Sequence, residues 1–396
     1  MKPSYSPLYF LAALGNGGLA VSFFIYLMFM LPHPHTPIPT WEDWTAAAAS
    51  GDPATVALVA VALAGVAWFA VRHVRSLAWN VARYREFKRT AAFEDLKRGN
   101  GEVQLMAIPL TYTMTINVGF VVGALFVPGL WGVVEWLFPG ALAAFAAVAV
   151  YGLRLFLSYI GRLVADGRFD WAANNSLSQL LAIFALVMIA VGFAAPAAMS
   201  EVRASAVIGM LGSIFFLSAA ALFAVVKLVL GFRDMFEKGV SAEGAPSLWI
   251  VIPILTVAGI ALLRLSHGFD HLFHRAAQPG DGLVLMAVFL SLQAWFGMVG
   301  WAVMRRIGYF QAYLRGPELS AASYALICPG VALMVFGMFF LHAGLVRSGI
   351  VEQFGVAYFV LLAPLALVQL KTIAVMLGLD RRHFGALAAE VEIKKC

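Results

Sequence analysis

The chain has 396 residues, 62% hydrophobic and only 12% charged, with a formal net charge of +6 and a mean hydropathy of +0.86. A soluble chain of this length carries about a quarter of its residues as charged groups, so this one cannot cover its own surface in water. Its basic excess comes without an aromatic-basic platform or a soluble domain, which argues against a nucleic-acid partner. The two cysteines, Cys328 and Cys396, offer no disulfide framework.

A helix needs roughly 20 apolar residues to cross about 30 Å of hydrocarbon. Ten runs meet that length and lack strand alternation, so they read as helices. The first, at about 8–31, carries Gly15-Asn16-Gly17-Gly18 and Ser22. Pro32-His33-Pro34-His35 follows without a small-x-small site, so this run is not a cleaved signal. The second lies at about 54–74 and leads into a basic linker. The third, at about 104–127, holds Thr111, Thr113, Thr115, Asn117 and Gly119. In the fourth, at about 131–160, Phe138-Pro139-Gly140 reads either as a kink or as the start of a shorter helix after a turn. The fifth (177–199) opens around Ser176, Ser178 and Gln179, and the sixth (204–231) is rich in Ala, Val, Leu and Phe. The seventh (247–266) has Pro253 and Thr256, and the eighth occupies 282–304. The ninth (320–344) has Pro329 and Gly330, and the tenth ends the set at 353–378.

The odd spans begin near 8, 104, 177, 247 and 320, so the last three intervals are close to 70 residues. Each even span leaves through an aromatic-basic stretch such as YREFKR, GFRDMFEKG or LDRRHF. This internal repeat predicts copies of one hairpin packed side by side. The expected fold is an all-α polytopic membrane protein of ten transmembrane helices, arranged as five antiparallel hairpins in a pseudo-five-fold ring with the odd helices inside. Residues 1–380 form one transmembrane channel or transporter domain, and residues 381–396 a short cytoplasmic tail. Of the Lys and Arg residues, 23 lie on the side where odd spans begin and 4 on the other. The positive-inside rule then places both termini in the cytoplasm, with the basic side against membrane lipid headgroups.

Small polar groups and helix breakers concentrate in the odd spans. They serve either close helix packing or an inner path where kinked backbone can hold an ion. Asn16, Ser22, Thr113, Asn117 and Thr256 are the candidate pore-lining polar residues. Few acidic side chains lie at depth, which favours an anion as the solute. Lys227, Lys371 and Arg154 sit toward cytoplasmic ends of even spans, where they either snorkel outward or attract anions inward.

PLTYTMTINVGFVVGALFVPGLW, SLWIVIPILTVAGIALLRL and SAASYALICPGVALMVFGMFF, together with the ten-span pattern over residues 8–380, resemble the tellurite-resistance/C4-dicarboxylate transporter and plant slow anion channel family. The resemblance implies a bacterial inner-membrane anion channel or transporter, a homotrimer with one path per subunit, small anions as substrate and no cofactor. It also implies a phenylalanine from the ninth helix that occludes the pore. Phe336 lies nearest the expected midplane, with Phe339 and Phe340 beside it, while Phe23, Phe120 and Phe184 lie at comparable depth on spans one, three and five. Each of these rings faces the path, faces lipid or packs against neighbours.

Six of eight histidines fall near the side where odd spans end: His33, His35, His267, His271, His274 and His342. In SHGFDHLFHR, His267 and His271 are four apart, with Asp270 and His274 alongside, a spacing open to metal binding, pH sensing or plain interfacial duty. The alternative function is therefore a metal- or haem-binding membrane redox protein. No P-loop, nucleophile elbow, dinucleotide fingerprint or cysteine pair is present, so the chain is not expected to be an enzyme.

Overall fold

A computed structural model describes residues 5–167, 175–273, 280 and 282–393. The protein is a polytopic all-α membrane protein, with ten long apolar helices among the described residues. Span one runs Pro7–Met30, span two Pro53–Phe87, span three Asn100–Phe126, span four Leu130–Asp166 and span five Ser178–Met199. Span six runs Arg203–Lys238, span seven Ala245–Leu272, span eight Leu283–Arg306, span nine Ala321–Val346 and span ten Val356–Phe384. Two short helices, Trp41–Ala49 and Ala91–Arg98, sit in the first two connections.

The odd spans share one local design. Each opens with a tight 3₁₀ stretch: Pro7–Tyr9, Asn100–Met106, Ser178–Leu180, Ala245–Trp249 and Ala321–Leu326. In three of them a proline is the third residue of the following α-helix: Pro109, Pro253 and Pro329. A proline there removes an N–H that the first turn of a helix would leave unpaired anyway. The α-helix therefore starts at that point, and the preceding residues tighten.

Several even helices outrun the lengths expected from hydropathy. Span two has 35 residues and span six 36, about 50 Å at 1.5 Å per residue. The apolar run ends near Arg72, but nothing in the next fifteen residues breaks a helix, so the backbone continues past the hydrocarbon. Span six stops at Gly239 and span four at Gly167, both with positive φ (72° and 62°), the backbone that lets glycine end a helix. Span four is continuous through Phe138-Pro139-Gly140, with its α-helix running from Val134 to Asp166. Span ten's helix runs on to Ile393, and His383 is buried with its Nδ1 3.0 Å from the Tyr9 hydroxyl.

Burial separates the two sets. Odd spans bury 56–94% of their apolar windows and even spans 17–33%. Spans one, three, five, seven and nine touch in that order, and span nine packs back on span one. Even spans lie against the odd ones, as span two does on one and three, and span ten on nine and one. A Cβ on Gly15 would stand 2.9 Å from Ile327 of span nine, so the contact that closes the cycle needs glycine.

A polar cluster ties spans one and two to spans nine and ten. Arg72 of span two pairs with Asp380 near the C-terminal end of span ten. The Tyr324 hydroxyl donates to Asp380 (2.8 Å), Arg72 Nε donates to Asn16 Oδ1 (3.1 Å), and Asn16 Nδ2 donates to the Ala12 carbonyl (2.9 Å). Removing one partner of a buried pair strands the other charge, which costs about 3–5 kcal/mol. Arg72 keeps a quarter of its side chain exposed, so Asp380→Asn is expected to cost about 2–3 kcal/mol. Thermal unfolding in detergent should show the loss, and Arg72→Gln in the same chain should recover part of it.

Candidate functional site

A cavity of about 200 Å³ lies among the odd spans, and all five contribute to its wall. Gly15, Gly18 and Phe24 come from span one, Asn117 and Phe120 from span three, and Phe184 from span five. Span seven adds Thr256 and Arg264, span nine Val331 and Phe339, and Phe145 enters from span four. A Cβ on Gly18 would lie 3.2 Å from Val331, so spans one and nine meet closely along this wall.

The lining is almost wholly apolar and contains no carboxylate. Its polar equipment is small and well separated in kind. Asn117 makes no hydrogen bond among the described residues, so its carboxamide is free for a solute. Thr256 is already engaged, donating to the Ala332 carbonyl (3.1 Å) and accepting from Gln293 Nε2 (3.0 Å). Arg264 supplies the single cation of the lining. One of its five N–H donors goes to the Val191 carbonyl at 3.1 Å, and it has no acidic partner among the described residues. It lies eight residues, or about 12 Å, before the end of its helix at Leu272.

Of the five polar residues expected in a path, Asn117 and Thr256 line the cavity and three do not. Asn16 turns outward to Arg72. Ser22 donates to the Leu19 carbonyl (2.7 Å) and accepts from Gln369 Nε2 of span ten (2.8 Å). Thr113 donates to Pro109 one turn back at 2.9 Å. A hydroxyl or amide in lipid bonds the nearest acceptor, and for these three that acceptor is backbone or a neighbouring helix.

The phenylalanines divide likewise. Phe120, Phe184 and Phe339 line the cavity. Phe336 does not project there: it is fully buried among Leu263, Met286 and Phe289, between spans seven, eight and nine. A Cβ on Gly259 would come within 2.5 Å of its ring, so that glycine makes the slot Phe336 occupies. Phe340 packs against the same cluster. Phe23 turns to span two, stacked on Phe69 with centroids 5.9 Å apart. Span nine changes to a wider π turn over Phe340–Val346, directly after Phe339.

Sequence reasoning passed over Phe24, Phe145 and Arg264. Phe24 is the neighbour of the ring that was named. Phe145 belongs to an even span and reaches inward where Gly192 leaves room, since a Cβ there would lie 2.2 Å from its ring. Arg264 interrupts the apolar run ALLRLS, and a charge inside a span is a functional candidate by default, a signal the sequence does carry.

The far end of the cavity is roofed by the first connection, whose Ile38 joins the lining. Trp44 Nε1 donates to the Leu125 carbonyl (2.8 Å), and the Gly129 N–H donates to Glu42 Oε1 (2.7 Å). That backbone bond holds the Glu42 carboxyl below its ordinary pKa. The clasp is thus present above the usual carboxylate range and is lost only as pH falls through the lowered value.

Among the histidines, His267 and His271 lie exposed at the end of span seven, and His35 is exposed in the first connection. His33 bridges the carbonyls of Met28 and Thr36, and His342 is buried between the Met338 carbonyl and the Tyr358 hydroxyl. His274 lies outside the described residues. No group of three potential metal ligands comes together among the described residues. Comparison with known protein families finds no family that matches, and a search of curated proteins finds no match either.

The two ring environments make different demands. Phe336→Ala leaves a hole in a packed core and is expected to cost about 3–5 kcal/mol on the soluble-core scale. Phe339→Ala, at the cavity wall, should cost clearly less. Detergent melting curves of the two variants measured side by side will check the order.

Proposed function

We propose that the chain is a channel or carrier for small anions, with the solute path running between its odd spans. The observation that carries this reading is the lining itself: an apolar cavity met by all five odd helices, free of carboxylates, with one guanidinium, Arg264, in its wall. A unit positive charge attracts an anion at 4 Å by about 4 kcal/mol at an effective dielectric of 20. The same charge repels potassium and sodium, and among the described residues no acidic group lines the cavity to offset it. Asn117 adds neutral N–H donors that can replace part of an anion's hydration without trapping it. Phe24, Phe120, Phe184 and Phe339 supply apolar walls that resist wetting, so the resting path is closed to water and ions.

The closed cycle of odd-span contacts and the outward position of the even spans support a pseudo-five-fold ring of antiparallel hairpins. That arrangement accords with the family the sequence resembles, the tellurite-resistance/C4-dicarboxylate transporters and slow anion channels, and a trimer with one path per subunit follows from the same reading. With both termini in the cytoplasm of a bacterial inner membrane, Arg264 stands in the outer half of the path and meets an entering anion first.

Proteoliposome flux with chloride, nitrate and small carboxylates tests the assignment. Arg264→Gln should lower anion flux about ten-fold or more, equivalent to at least about 1.4 kcal/mol of barrier, whereas Arg264→Lys keeps the charge and most of the flux. Phe339→Ala should raise basal flux by widening the wall, while Phe336→Ala should not. A reversal potential that follows potassium and ignores the chloride gradient rejects the proposal.

Orientation has its own test. In a chain whose native cysteines are replaced, Ser50→Cys should react with an impermeant maleimide on intact cells. Asp166→Cys should react only after the membrane is opened. The reverse pattern inverts the topology.

A further inference from the structure

A second and larger hollow, about 860 Å³, opens on the flank of the bundle, away from the odd-span cavity. Spans eight and ten form its walls, span nine its floor, and the turn Phe310–Arg315 caps the end nearer the basic side of the protein. Trp301 and Leu367 on the two walls are strongly exposed, so the hollow faces lipid instead of protein. Leu333 of span nine continues the apolar surface inward.

Three cations border this apolar hollow: Arg305 at the end of span eight, Arg315 in the capping turn and Lys371 on span ten. All three are exposed, none has an ion pair among the described residues, and no carboxylate lines the hollow. The Arg305 guanidinium rests 5.0 Å from the centroid of the Trp301 ring, an amphipathic pairing suited to the headgroup level. Lys371 lies deeper along its helix, where its long stem lets the ammonium reach toward the other two. Positive charge without counter-charge, set above apolar walls that open to the bilayer, is the complement of an anionic amphiphile. A free inorganic anion would satisfy the cations and leave Trp301, Leu333 and Leu367 uncovered.

We infer that the crevice between spans eight and ten is a binding site for an anionic phospholipid, its phosphate held by Arg305, Arg315 and Lys371 and its acyl chains laid along Trp301, Leu333 and Leu367. The site belongs to the leaflet on the side where the odd spans begin. It stands independently of what the central cavity transports.

Detergent-solubilised full-length protein titrated with dibrominated phosphatidylglycerol or dibrominated phosphatidylcholine tests this through quenching of tryptophan fluorescence, with Trp301→Phe identifying the crevice signal. Phosphatidylglycerol should quench that signal at about ten-fold lower concentration than phosphatidylcholine, and millimolar inorganic phosphate should not displace it. Each of Arg305→Gln, Arg315→Gln and Lys371→Gln should weaken the preference roughly five-fold, the effect of one basic residue at an anionic surface. Equal quenching by the two lipids in the unaltered protein overturns the site, and that comparison needs no variant to fold. Displacement by inorganic phosphate overturns it in favour of a free-anion site. An unchanged preference in the triple Gln variant, with a loss of oligomer mass by light scattering, overturns it in favour of a second copy of the chain in the crevice.

Discussion

Hydrocarbon offers no hydrogen bonds, and that one constraint orders this molecule. Every backbone group in a span must be satisfied by protein, so irregular backbone can exist at depth only where other helices surround it. The odd spans carry the irregularities: 3₁₀ openings, prolines at the third helical position, and the π turn of span nine. They are the buried set. The even spans are rich in aliphatic side chains and unburied over most of their windows; their own irregularities are fewer, a 3₁₀ opening at Leu130–Val133 and the prolines Pro139 and Pro364 inside helices that stay continuous. The inner set is thus the one in which most of the irregular backbone is surrounded by other helices.

The same scarcity of hydrogen bonds explains where polar side chains go. Asn16, Arg72, Asp380 and Tyr324 satisfy one another across four spans, and Ser22, Gln369 and Tyr26 form a second chain between spans one and ten. These groups fasten spans nine and ten to spans one and two. What remains for the cavity is little: Asn117, an already engaged Thr256, and Arg264. Arg264 has no acidic partner among the described residues, and such a cation is expensive in a membrane interior. Its retention in an otherwise apolar wall is the strongest physical reason to connect the cavity with anions.

Glycine positions decide which rings face the cavity. Gly259 opens a slot that takes Phe336 out of the lining, Gly65 receives Phe23 against span two, and Gly192 admits Phe145 from an even span. On a helix, residues three apart differ by only a fraction of a turn, so Phe336 and Phe339 are near neighbours in direction. The small gap opposite one of them sends it to the interior of a packing cluster while the other stays at the wall.

Ten spans, their helical nature and the odd-even contrast are legible in the sequence, because hydrophobic length and the placement of proline, glycine and small polar residues act within one helix at a time. The extent of spans two and six beyond the hydrocarbon was not legible from hydropathy, which ends at the first charge although the helix continues until a glycine such as Gly239 stops it. The surroundings of Asn16, Ser22, Phe23 and Phe336 also escaped the sequence, since each depends on a partner from another helix: Arg72, Gln369, Phe69 and Gly259. Arg264 was visible as a charge in an apolar run, but only packing set its guanidinium beside Val191 on the cavity wall. Sequence alone determined that these helices live in a membrane and which of them could lie inside. Rotation of each helix about its own axis was decided by tertiary packing, because that rotation is settled by side-chain volumes meeting across interfaces that no single helix contains.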